Sequence, residues 1–151
     1  MLCLAVLANY SAYNQNHLSN AKEQVSFSIS SFDTVFISQH VVIVNTVLTN
    51  NSADTLAYFS TNNSELPNYV VDTGLDIHRG CIVGKPIPAK RQLLPGGMIK
   101  QSLTIMLLSS PSRKLRVGFN FVPVSKSDSL ISKSKLFFKK TNIVWSESIL
   151  L

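Results

Sequence analysis

A single antiparallel all-β sandwich with Greek-key connections is predicted by three observations. Apolar and polar residues alternate with period two again and again, while helical periodicity is almost absent. The alternating runs, about eight or nine of them, are separated by turn-forming residues every ~8 to 12 positions, as a sandwich requires. A length of 151 residues with 45% apolar content suits one buried core. A closed barrel is the competing architecture, and no internal repeat or linker divides the chain.

The first residues, MLCLAVLANYSAYNQNH, hold a short apolar run and then small and polar ones, with no charge before Lys22. This resembles the tail of a secretory signal peptide that lacks its basic lead. Residues 1–16 are therefore read as a truncated leader or, if retained, as an ordinary first strand, with 17–151 as the sandwich domain. The leader reading places the protein outside the cell or in its envelope; the strand reading places it in the cytoplasm. No later run approaches the ~20 apolar residues of a membrane span.

In VSFSIS, Val25, Phe27 and Ile29 alternate with serines and define a half-buried strand. TVFISQHVVIVNTVLT is too long and β-branched for a loop. It is read as two strands, or one bent near Gln39-His40, with Val42, Val44, Thr46 and Leu48 on one face. The turn formers Asn50 to Asp54 reverse the chain, so TLAYFS is expected to return beside the preceding strand as a hairpin, with Leu56 and Tyr58 inward. After a second polar turn, YVVDTGLDIHRGCIV gives two short strands about Asp72-Thr73-Gly74, where Gly74 supplies a positive φ. Residues 84–97, rich in proline and glycine, are expected to be an irregular crossover. SLTIML follows with Leu103, Ile105 and Leu107 alternating. In KLRVGFNFV, Leu115, Val117, Phe119 and Phe121 face one way against Arg116, Gly118 and Asn120. Ser125 to Ser134 reads as a loop, and KLFFKK with NIVWS as a closing hairpin.

The run VLTNNSADTLAYFSTNNSELPNYVVDTGLDI, followed by LLPGGMIKQSLTI, resembles a pattern of bacterial immunoglobulin-like domains found in small secreted proteins of Bacteroidetes type. The closing IVWSESIL is similar to the final strand of that group. A weaker likeness connects the same turns to the family typified by the Bacillus intracellular proteinase inhibitor, although no inhibitory loop matches residue by residue. These motifs specify turns, so the first resemblance implies an immunoglobulin-like sandwich more than a function. The second implies that an extended loop, Lys85 to Leu94, would occupy a protease cleft.

Catalytic and metal chemistry is not indicated. His17, His40 and His78 lack the close spacing of metal ligands, and no cofactor motif occurs. His78 and Cys81, three apart, would point to opposite faces of a strand, so a half-buried lone thiol is the simpler reading of Cys81. Whether Cys3 or Cys81 forms a disulfide depends on the leader, and no spacing rule supports a Cys3–Cys81 bridge. Asp72 and Asp76 lack the ligand spacing of a calcium loop, and turn capping suits Asp72. No paired carboxylates, phosphate loop or nucleophile elbow is present, so the chain is read as non-enzymatic.

Charge is the remaining signal. The formal net charge is +6 with a pI near 9.5, although only 15% of residues are charged. Two basic stretches are candidates for binding: Lys85, Lys90 and Arg91 on the crossover, and Lys133, Lys135, Lys139 and Lys140 around Leu136-Phe137-Phe138. Cations interleaved with aromatics could hold a polyanion, but lysines also protect an exposed edge strand, and the edge-strand account is preferred. The expected partner is a protein or an envelope polymer rather than nucleic acid, and the chain is expected to be a monomer. The functional expectation is a secreted or envelope domain with a binding or structural role, the alternative being a module that blocks a protease.

Overall fold

The computed structural model describes residues 24–33, 40–62, 64–79, 87–108 and 114–151. Within them the chain is an all-β, sandwich-like domain with one α-helix. The strands are β1 (Val25–Asp33), β2 (Val41–Asn50), β3 (Leu56–Thr61), β4 (Tyr69–Val71), β5 (Leu75–Ile77), β6 (Pro88–Leu93), β7 (Met98–Leu107), β8 (Lys114–Leu115), β9 (Val117–Asn120), β10 (Ile143–Trp145) and β11 (Ile149–Leu150). The helix, α1, covers Leu130–Lys139. The N-terminal run and Cys81 lie outside the described residues.

One layer is the antiparallel sheet β1-β2-β7-β5. The other joins β10-β9-β4 to the pair β3-β6, because residues 121–124 continue past β9 alongside β3. There the Phe59 N–H donates to the Val122 carbonyl at 2.8 Å and the Val124 N–H to the Ala57 carbonyl at 2.9 Å. Apolar side chains from the two inner faces meet between the layers, as the alternation requires: Val25, Phe27, Val42, Val44, Leu48, Leu103 and Ile105 from one, Tyr58, Tyr69, Val117 and Phe119 from the other. Aromatic rings link the layers, with Phe27 6.0 Å from Tyr69 and Phe119 edge-on to Tyr69 at 5.0 Å. Burial pushes the Tyr69 hydroxyl up to about 12.

Two local expectations are corrected by the pairing. TLAYFS does not form a hairpin with β2, whose two edges are already taken by β1 and β7. It crosses to the other layer as β3 and pairs with β6, Leu56 opposite Leu93 and Thr61 opposite Pro88. Residues 88–93 of the supposed crossover are therefore a strand. Pro88 is tolerated because it opens β6, which among the described residues pairs with β3 alone and so forms an edge. Most of the extended loop that protease inhibition would need is thus already hydrogen-bonded within the domain; Lys85 lies outside the described residues. The Asp72-Thr73-Gly74 turn is as expected, with two short strands about it and Gly74 at φ 85°, and the pairing adds that it is a corner between layers: β4 pairs with β9 and β5 with β7.

The two turn signals that the sequence places far apart are one unit. Asn50, 1% exposed, donates from Nδ2 to the carbonyls of Asp54, Leu93 and Leu94 at 2.7, 3.0 and 3.1 Å. Its Oδ1 accepts from the Ser52 N–H and hydroxyl. Its backbone bonds Gly96 and Gly97. The Asn-Asn-Ser turn and the Leu-Pro-Gly-Gly turn are thereby fastened through one amide.

KLFFKK is not a strand. It completes α1, which starts at Ser129, whose Oγ accepts from the Ile131 N–H, and stops at Lys140 in the left-handed conformation. Leu130 and Phe137, seven apart, lie on one side of this helix. They pack with Phe59, Val122 and Val124 in a second small core on the outer face of β3. A strand whose both faces are covered loses simple alternation, which is why Tyr58 and Phe59 are both buried.

Candidate functional site

Helix α1 lies against β3 and β6, and this contact brings together residues from both basic stretches. Lys90 pairs with Phe59 across β3-β6, and paired residues share a face, so exposed Lys90 stands on the side that α1 covers. Arg91, one residue on, faces the other way. Its Nη2 donates to the carbonyls of Thr61 and Asn62 at 3.2 and 3.0 Å, and its Nε stands 3.6 Å from Glu65. Glu65 in turn accepts from Tyr58 and Ser60 at 3.0 and 2.6 Å. Burial, then the adjacent Glu65 carboxylate, drives the Tyr58 hydroxyl far above its ordinary range, so it remains a donor. Arg91 is thus tied to the fold by these contacts.

The four lysines of the second stretch also divide. Lys133 ion-pairs with Asp128 at 3.2 Å. Burial would raise the Asp128 carboxyl, but the Ser125 N–H and hydroxyl and the Lys133 ammonium outweigh it and hold it below its usual value. Lys135 and Lys139 are exposed, and among the described residues neither has an ion-pair partner. Because these lysines sit on a helix that packs over β3 and β6, edge-strand protection no longer accounts for them. Ile131 and Phe138, seven apart, share the flank next to Lys135 and are 75% and 74% exposed. The outer surface of α1 therefore combines two large apolar side chains with free cations and carries no acid.

Lys140 turns away from this surface into a cleft of about 340 Å³ at the corner between the layers. Val70, Leu75, Ile77, Ile143 and Trp145 give it apolar walls, and Asp76, Arg79 and Lys140 contribute charge. Its floor depends on Gly118. A Cβ at that position would lie 2.5 Å from Ile143 Cγ2, 2.8 Å from Trp145 Cε3 and 2.9 Å from Val70 Cγ2, so these side chains cover the backbone only because no side chain intervenes. The Arg116 guanidinium sits 4.3 Å from the Trp145 ring centre and ion-pairs with Asp72 at 2.9 Å, which fixes the indole.

Of the residues that sequence reasoning singled out, Lys90, Lys135 and Lys139 gather around α1, whereas Arg91 and Lys133 serve the fold and Lys140 enters the cleft. Lys85, Cys81 and His17 lie outside the described residues, and His40 and His78 are exposed. Arg79, Ile131 and Trp145 were missed, while Phe138 was named only within the second basic stretch. Ile131 could have been found beside Phe138 from the seven-residue spacing that Leu130 and Phe137 also show. Among the described residues, no group of three His, Cys, Asp or Glu side chains could hold a metal ion, and no helix is long and apolar enough to cross a membrane.

Fold and surface together define an all-β sandwich-like domain with a cationic and apolar helix on its outer face. No protein-family model matches the chain, and no curated protein matches it in sequence. Among solved structures, the yjhA protein from Bacillus subtilis is similar with a TM-score of 0.43 and 12% identity, over 82% of this chain and 90% of that one. A likeness at that level assigns neither family nor activity.

Proposed function

We propose that this chain is a non-catalytic, immunoglobulin-like binding domain of the cell envelope or exterior, which docks an acidic protein partner through the outer surface of α1. The observation that supports this reading is the exposure of Ile131 and Phe138 beside Lys135 and Lys139, which have no ion-pair partner among the described residues. Aromatic anchors among cations suit a partner surface that offers both apolar pockets and carboxylates. A polyanion without aromatic groups, such as an acidic glycan, would engage the cations and leave Ile131 unused. A lipid surface calls for a continuous apolar face sunk ~5–10 Å into the headgroup region, and two side chains on one helical flank supply little of it.

The test is site-specific photocross-linking in the native cells, with p-benzoylphenylalanine at position 138. A discrete protein adduct should form and should disappear when Lys135→Glu and Lys139→Glu are combined. Absence of any adduct, together with co-sedimentation on phosphatidylglycerol vesicles that Phe138→Ser abolishes, would replace the protein partner with a lipid one. Ile131→Ser and Phe138→Ser should leave stability within about 0.5 kcal/mol, since both side chains are mostly solvated.

A further inference from the structure

The cleft at the layer corner is independent of α1's outer surface and has its own chemistry. Among the described residues its walls are apolar, with one indole, and offer a ligand body no polar side chain beyond the three charged groups at its edge. Two of those are cations and one is an anion. Among the described residues, Arg79 and Lys140 have no ion pair within 4.0 Å. Asp76 has turned one oxygen to the Ile77 N–H at 2.8 Å. Partial burial, and then the nearby Arg79 guanidinium, hold the Lys140 ammonium below its ordinary value despite Asp76. Both cations line one cleft with a single carboxylate among its described lining residues, an arrangement that an incoming anion relieves.

We propose that this cleft binds a small organic monocarboxylate with an aromatic or branched apolar body, its carboxylate between Arg79 and Lys140 and its body against Ile77, Ile143 and Trp145. The charge balance selects the anion: two cations and one carboxylate leave one positive charge, which a monoanion neutralises and a phosphate dianion overshoots. The apolar walls select the body, because a sugar would leave its hydroxyls without partners there. A volume of about 340 Å³ is at the lower end of ligand pockets, ~300–1,000 Å³, and suits a molecule of this size.

Trp145 is the chain's one tryptophan, so its fluorescence reports the cleft directly. The full chain is titrated with 3-phenylpropionate and, separately, with the neutral 3-phenylpropanol, which keeps the body and removes the charge. The acid should change the emission saturably and the alcohol should bind at least about tenfold more weakly. Arg79→Gln and Lys140→Asn should each weaken the acid about fivefold, the scale of one partly exposed charge pair, and leave the alcohol unchanged. Asparagine is chosen at position 140 because it tolerates the left-handed backbone found there, at φ 49°. Methyl chemical shifts of Ile77 and Ile143 in the unmodified protein provide a readout that needs no variant. The assignment is overturned if neither probe moves the indole or these methyls, if acid and alcohol titrate alike, or if both variants keep the acid's affinity.

Discussion

Asn50→Ala tests the join between the two turns. The amide has two donor hydrogens for three carbonyls, so one is shared, and one oxygen that serves both Ser52 donors. Counted as three to four effective bonds at ~1 kcal/mol net each, the substitution removes up to about 4 kcal/mol. Water can reach the Asp54 and Leu94 carbonyls, which are only partly buried, and Ser52 keeps its bond to Asp54 at 3.1 Å. The expected loss is therefore about 3 kcal/mol, or roughly 6–12 °C in Tm for a chain of this size. Urea unfolding with an unchanged m-value measures it. Asn50→Asp should cost at least as much, since it keeps the Ser52 contacts but presents a carboxylate to three carbonyls. Asn51→Ala is the control: Asn51 is exposed, its side chain accepts one bond from Ser26 at 3.5 Å, and less than about 0.5 kcal/mol should be lost. A loss below about 1 kcal/mol for Asn50→Ala would refute the claim that one amide fastens both turns.

Asn120→Ala should cost less, about 1 kcal/mol by urea unfolding: it removes a 2.8 Å bond to the Phe137 carbonyl but also a buried Oδ1 that has no partner. Gly118→Ala should destabilise by ~1–3 kcal/mol and shift Trp145 emission, because the new methyl enters the floor of the cleft. Acid should loosen the start of α1. The Asp128 carboxyl is depressed in the folded chain, so its contribution is present above the unfolded value of ~3.9 and is lost as pH falls through the lower folded value. In a helix-resolved hydrogen-exchange series, Asp128→Asn should remove that pH dependence; a profile unchanged by the substitution would contradict the pairing.

Strands with one solvated face were legible in the sequence, β1, β2 and β7 above all, because their alternation records burial on one side. β3 was located but not its partner: a polar turn such as Asn50 to Asp54 reads as a local reversal, while the competition for the edges of β2 lies in residues about fifty positions away. β6 was hidden by prolines that an edge strand tolerates. α1 was missed because Leu136-Phe137-Phe138 between lysines looks like an alternating edge, whereas the informative features are the Ser129 cap and the Leu130/Phe137 spacing. The cleft was not legible at all. It draws Val70, Ile77 and Trp145 from three separate segments, and Gly118, which makes room for its floor, sits in a strand where the alternation predicts nothing special.

The order of strands in the main sheet also sets a timetable for biosynthesis. Val41 of β2 pairs with Met106 of β7, so β2 emerges long before its central neighbour exists. Those intervening residues, about 65 of them, take roughly 3–13 s to add at ~5–20 residues per second. For that interval β1 and β2 can close on each other, but the other side of β2 is an open row of hydrogen-bonding groups beside Val42, Val44 and Leu48. A nascent chain in this state is prone to join a second copy of itself, so the period before β7 arrives is when a holding chaperone would most improve the yield of folded protein.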